Sequence, residues 1–251
     1  MTGNRSAAST GDLLELLRGK AVALWEEKGL LGEPVGVHAR VLSAQEAIGD
    51  PEGDDFPLRK GKERMIEAEV LGARGHAFTD MYGDFSGTLG EIAVMPLVNN
   101  FRRAVFFAAM NASLRALGLC DRTVHCRDDG PALCARELKD YMLERFAGAR
   151  LLQVGFQPKF VEALSSEFPH YRVLDLDRDN IGKRLRGALV EGPEAQRNAL
   201  AWADVALVTG STCANGTLSD FLHVPRLVVF GVTGAAACAL LGLTRFCARS
   251  L

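Results

Sequence analysis

Along Asp12 to Lys28 the apolar residues Leu13, Leu16, Leu17, Val22, Leu24 and Trp25 recur, and the segment ends at Gly29. That spacing is one helical face, and a glycine just past the end accepts the left-handed conformation that caps a helix, so a helix is predicted. Val35 to Leu42 and Met65 to Thr79 alternate or run apolar with β-branched residues, on either side of the polar, Pro/Gly-rich stretch Gly49 to Gly61. Two or three strands around a long exposed loop follow from this. From Thr88 the helical period returns, first through Leu89, Ile92 and Ala93 and then from Phe101 to Leu117 through Ala104, Val105, Ala108, Ala109, Ala112 and Leu114. Strands followed by helices predict an α+β first domain over residues 1–120.

The short polar stretch Cys120 to Pro131 is read as the crossover to a second domain, residues 121–251. Beyond it the apolar runs Leu151 to Phe156, Arg172 to Leu176, Asp204 to Thr209 and Leu227 to Val232 are separated by helical segments at Gln157 to Phe168 and Glu194 to Ala203. Pro158 and Pro193 stand where helices begin, a position proline favours. Strands alternating with helices imply right-handed crossovers and a mostly parallel, Rossmann-like sheet, here with its strand order reversing near Thr209. The fold class is α/β.

Composition narrows the function classes. A 251-residue chain with 48% hydrophobic content buries a sizeable core, and 29 basic against 31 acidic residues leave no electrostatic footprint for nucleic acid. The longest apolar stretch, Leu227 to Leu243, is broken by glycines and threonines, so no membrane span is expected. Met1 to Gly11 lacks the apolar centre of a secretory signal, which points to the cytoplasm and to reduced thiols for the six cysteines.

The segment richest in chemistry is Thr209-Gly210-Ser211-Thr212-Cys213-Ala214-Asn215-Gly216-Thr217, directly after a buried strand. Ligands bind at the carboxyl ends of the strands in an open parallel sheet, so these hydroxyls and glycines mark a candidate site. The plainer reading is a turn, with Thr217 and Asp220 as a capping box and Asn215-Gly216 as a turn pair. After the strand 151–156 the turn Gly155-Phe156-Gln157-Pro158 lacks the G-x-G-x-x-G spacing, which disfavours ordinary NAD binding. Asp175 and Asp177 end the next strand, where an acidic residue either meets a ribose hydroxyl or is simply solvated. Cys120, His125, Cys126 and Cys134 offer soft ligands at a spacing wrong for familiar zinc sites, so ordinary buried thiols are expected. Cys238 and Cys247 look like core, and Cys213 is the thiol to test for reactivity. His76 is an acid–base candidate or a hydrogen-bonded residue, and Asn111, in an Ala-rich helix, either faces a polar cleft or needs a buried partner.

Gly75 to Asp80, the helix from Arg103-Ala104-Val105 to Asn111-Ala112, the strand Leu151 to Gly155 and above all Thr209-Gly210-Ser211-Thr212 to Asn215-Gly216-Thr217 resemble one known family. It is the family of "putative heavy-metal chelation" domain proteins, and the resemblance covers most of the chain after residue 30. It implies an enolase-N-terminal-like first domain, a Rossmann-like second domain and a site in the cleft between them, linked to metal or metal-chelate chemistry. By position, Thr209, Gly210, Asn215, Gly216 and Thr217 would line the cleft from the second domain, and Thr79, Asp80 and Asn111 from the first. Ser211, Thr212, Gly155 and Asp175 complete the candidate set read from the strand ends.

Two functions compete at this point. One is a binding protein for a small anionic molecule or metal chelate, with a metal ion or chelate as the cofactor and a homodimer left open. The other is a transferase-type enzyme of chelator synthesis or modification that uses a nucleotide-like cofactor at Asp175.

Overall fold

The computed structural model describes residues 10–35, 64–127 and 130–251. The long loop expected at Gly49 to Gly61, and the strand expected at Val35 to Leu42 beyond its first residue, lie outside them.

Helix α1 (Thr10–Glu27) places Leu13, Leu17, Ala21 and Trp25 on one buried stripe and ends at Gly29, whose φ is +68°. The residues Met65 to Thr79 form a single hairpin of β2 (Arg64–Val70) and β3 (Ala73–Thr79), turned through Leu71 and Gly72, both at positive φ. The short strands β1 (Pro34–Val35) and β4 (Gly87–Thr88) pair antiparallel ahead of α2 (Leu89–Val94). A capping box of Thr88 and Glu91 starts that helix.

Helix α3 (Asn100–Ala116) is buried at every residue from Ala104 to Leu114. A helix apolar on all sides belongs inside, and α3 is the axis of the molecule. The hairpin lies flush on it because Gly75 has no side chain; a Cβ there would collide with the Ala108 carbonyl oxygen and the Ala112 nitrogen.

The second half is a seven-stranded sheet in the order β11-β10-β9-β5-β6-β8-β7. Its strands are β5 (Leu151–Val154), β6 (Tyr171–Leu174), β7 (Arg184–Leu185), β8 (Ala188–Glu191), β9 (Val205–Thr209), β10 (Leu227–Phe230) and β11 (Thr244–Phe246). All neighbours are parallel except β7 and β8. Without β7 this is the doubly wound order, built outward in both directions from β5. The expected reversal therefore falls between β5 and β9, at Thr209. Helix α4 (Gly130–Phe146) and α5 (Pro158–Leu164) cover one face through Leu151, Leu207 and Phe230. On the other face α6 (Gln196–Trp202) packs on Leu152 and Leu174, and α8 (Ala235–Leu241) packs beside Val229. Alternate strand residues thus feed opposite layers.

The halves share one core. Trp25, Phe106 and Phe107 belong to the same buried cluster as Cys213, Ala214, Val229, Ala236 and Cys238. Among the described residues, no helix is long and apolar enough to cross a membrane.

Candidate functional site

The switch point is built around one glycine. Gly155, just after β5, has φ +94°, and a Cβ there would lie 2.7 Å from the Thr209 Cγ2 at the end of β9. Only glycine tolerates both the conformation and the contact. Its carbonyl accepts from the Gln153 amide at 2.9 Å, and Gln153 in turn accepts from the Tyr171 hydroxyl at 2.6 Å. Gln153 is fully buried on the central strand, so this pair props the Gly155 peptide from beneath, and burial pushes the Tyr171 phenol well above its ordinary range. The Asp175 carboxylate accepts the amide N–H of Phe156 at 2.5 Å and of Asp177 at 2.6 Å. It braces the turn after β5 against the end of β6, a role beyond the ribose contact and the solvated strand end weighed from the sequence.

After β9 the chain makes the one-turn helix α7 (Ser211–Asn215), closed by Gly216 at φ +74°. Thr209 Oγ1 accepts the Ser211 N–H at 3.3 Å and the Thr212 hydroxyl donates to the Thr209 carbonyl at 2.7 Å. Gly210 lets the loop 231–234 come close, since a Cβ would meet the Gly234 nitrogen at 2.7 Å. The capping box of Thr217 and Asp220 does not form. Thr217 makes no side-chain cap, and backbone bonds to Thr212 and Asp220 shape the turn instead.

The seam between the halves carries a second group. Asn100 Nδ2 donates to Asp80 Oδ1 at 2.6 Å and to Asn215 Oδ1 at 3.5 Å. Arg103 donates to the Ala214 carbonyl at 2.7 Å, to the Leu97 carbonyl at 3.0 Å and to Asn100. Burial lowers the Arg103 pKa, partly offset by Asp80. Two expected residues, Asp80 and Asn215, are thus brought together by Asn100, which Arg103 holds in turn, and the sequence reading named neither of these two as a site residue. Their sequence signals were a polar start, Asn99-Asn100, to a buried helix and the place of Arg103 at the head of the helix that carries the family resemblance.

Other expected residues sit deeper. Asn111 is fully buried: its amide nitrogen donates to the carbonyls of His76, Val232 and Thr233, and its oxygen accepts the Ala236 N–H at 2.8 Å. Of its two readings, buried partners is the one the geometry meets. Thr79, also fully buried, turns its hydroxyl back onto Met81. Ser211 and Thr212 are buried too, which leaves Gly155, Asp175 and Thr209 half-buried at the carboxyl ends of the strands.

His76 accepts the His125 N–H on Nδ1 at 3.1 Å, so its other nitrogen carries the proton and donates to Glu67 at 2.6 Å. His125 donates from Nδ1 to the Cys126 carbonyl at 2.5 Å, and burial pushes its pKa down to about 4. Cys213, the thiol singled out for a reactivity test, is 2% exposed and burial pushes its thiol well up, the setting of an inert core cysteine. Cys247 is half-buried rather than core. The sequence cluster divides: the Cys120 thiol turns to the Asn111 carbonyl at 3.7 Å, while Cys126 faces Gly130. Among the described residues no group of three His, Cys, Asp or Glu side chains is gathered to hold a metal ion. A surface hollow of about 390 Å³ lies at the opposite ends of the strands, between Gly148, Asp204 and Arg226. It is remote from the switch point, and Asp204 on its wall is paired with the exposed Arg150.

Fold and seam together define a doubly wound α/β protein whose parallel sheet shares its core with a smaller α+β half. Residues 138–243 match the model of the family described as "Putative heavy-metal chelation", DUF364. A structure of a protein of unknown function from that family, from Pyrococcus horikoshii, aligns with a TM-score of 0.55 at 17% identity, covering 88% of this chain and 80% of that one. Another, from Desulfitobacterium hafniense and also of unknown function, aligns with a TM-score of 0.49 at 14% identity, covering 71% of this chain and 72% of that one. The family read from the sequence is the one the comparisons return; none of the curated proteins matches.

Proposed function

We propose that the chain binds a small ligand, a metal chelate by the chemistry its family's description suggests, at the carboxyl ends of β5 and β9. The observation that carries this reading is the switch point itself. There the strand order reverses, Gly155 approaches Thr209 too closely for any side chain, and Asp175 pins the adjoining turn. A crevice outside the strand ends at such a reversal is where open α/β sheets take their ligands. The Asp80, Asn100, Arg103 and Asn215 group forms the wall of the crevice on the side of the first half. In this reading Gly155, Gly210 and Gly216 shape the loops, the Thr209 hydroxyl faces the ligand, and Asn111, Thr79, Ser211 and Thr212 hold the loops in place.

Native mass spectrometry of freshly purified protein is the first test, with a stoichiometric co-purifying chelate or small molecule as the expected result. Thr209→Val and Asn215→Ala should then lose that species while melting close to the parent, because their hydrogen bonds of 3.3 Å and 3.5 Å are weak. Variants that melt far lower yet keep the bound species would sink the assignment.

A further inference from the structure

The crossover between the halves is clasped onto the middle of β3. The His76 N–H donates to the Thr123 carbonyl at 2.9 Å, and the Thr123 hydroxyl donates to the Arg74 carbonyl at 2.6 Å. Two residues further on, the His125 N–H donates to the His76 ring at Nδ1, 3.1 Å away. The His125 ring stands edge-on to Phe78, with centroids 5.4 Å apart. From the other side, Val124 and Leu251 exchange backbone bonds at 2.9 Å each way, and Arg115 donates to the Thr123 hydroxyl at 3.2 Å and to the Leu251 carbonyl at 2.7 Å. His76 and Thr123 are both buried, so water does not readily stand in for these bonds.

The two nitrogens of the His76 ring face opposite demands. A backbone N–H can only donate, so the bond from His125 exists only while Nδ1 carries no proton and the ring is neutral. Glu67 stands directly across the hairpin and accepts from Nε2 at 2.6 Å, and a carboxylate that close favours the charged imidazolium. We infer that His76 is a pH-operated latch: neutral, it holds the crossover on β3; protonated, it keeps Glu67 and lets residues 123–126 lift. The proton enters at Nδ1, the Nε2 bond becomes an ion pair with Glu67, and the His125 N–H loses its acceptor. The charged groups around the ring set the balance. Glu67 from β2 draws the proton in, while Arg74 from β3 shares that carboxylate at 3.6 Å and weakens the pull. Glu69 lies across from Arg74, Arg115 reaches in from α3 through Thr123, and Arg245 from β11 is spent on Asp121 at the start of the crossover. His125 is no substitute sensor, since burial holds it at about 4 and it stays neutral where an ordinary histidine charges. The latch is independent of the proposed ligand site, and either could fail alone.

The test is NMR of the full-length chain, isotopically labelled, between about pH 8 and about pH 5, the span in which histidine titrates. At the upper end the His76 ring should be neutral and protonated at Nε2, with the His125 amide protected from hydrogen exchange. On acidification the ring should gain its second proton. Protection at the His125 and His76 amides, corrected for the intrinsic exchange rate, should then fall about tenfold for each pH unit below the midpoint, while Leu207 in β9 keeps its own. Glu67→Gln, at a half-buried position, should move the transition to lower pH. His76→Gln has a side-chain oxygen that can accept the same N–H and takes up no proton, so it should stay closed throughout; if it does not fold, the Glu67→Gln shift decides alone. The proposal is overturned by a ring that stays neutral to the lower limit or charges without loss of His125 protection. An unmoved transition in Glu67→Gln, a His76→Gln chain that opens like the parent, or an equal loss at Leu207 overturns it as well.

Discussion

The Asn111 side chain crosses the seam to the Ala236 amide, accepting it at 2.8 Å from inside a helix where it has no exposed surface. Its Nδ2 meanwhile serves three carbonyls, two from the loop after β10 and one from β3. Replacing it by leucine fills the space and leaves these groups unpaired in a place water does not reach. Asn111→Leu should cost about 3 kcal/mol, the size of a few unsatisfied buried groups. Chemical denaturation measures it, and a near-neutral result would show that the seam does not depend on this bridge.

Gly155→Ala joins two penalties, a positive φ and a Cβ 2.7 Å from Thr209 Cγ2. A loss of about 2–4 kcal/mol is expected. Thr209→Ser removes the colliding methyl, so in the double variant part of the loss should return, leaving the conformational share and the contact with the Thr209 Cβ at 2.9 Å. A double-mutant cycle with no coupling would separate the two residues.

His125 gives the protein an acid-sensitive point. Burial holds its pKa at about 4 against an ordinary 6.5, and the neighbouring His76 adds to the effect. A folded-state pKa below the unfolded value means the folded chain resists taking up the proton. Stability is therefore unaffected above pH 6.5 and declines as pH falls from 6.5 to 4, by about 2–3 kcal/mol at most for a half-buried residue. Denaturant midpoints across that range should fall more steeply for the parent than for His125→Asn. Parallel slopes would remove His125 as the cause.

Thiol accessibility orders the cysteines. Cys213 and Cys238 lie 2% exposed in the shared core with raised thiols, whereas Cys247 is half-buried. Iodoacetamide followed by peptide mapping should mark Cys247 first and Cys213 only after denaturant. Early labelling of Cys213 would mean the core opens locally.

Much of the second half could be read in the sequence because β5, β6, β9 and β10 are apolar runs cleanly separated by helices. The hairpin of β7 and β8 escaped notice, since Arg184-Leu185 and Ala188 to Glu191 form a short, charged sheet edge with little hydrophobic periodicity. β11 escaped for the same reason, being three residues long. At the site, local spacing singled out the Thr209 to Thr217 loop. It could not reveal that Asn100 joins Asp80 to Asn215 across 115 residues, or that Arg103 reaches Ala214. Those pairs depend on how α3 docks. The capping box at Thr217, the plainer reading of this stretch, was a plausible local motif, but backbone bonds within the same turn take its place.

The buried cluster running from Trp25 through α3 to Val229 and Cys238 leaves no place to cut the chain cleanly. An excised piece with the bounds of the family match, 138–243, would turn Cys213, Ala214, Val229, Ala236 and Ala237 outward, an apolar wall with nothing to lean on. The stretch that the family model matches is therefore smaller than the stretch that can stand alone. A fusion or truncation designed on the first boundary would yield a sticky remnant instead of a module.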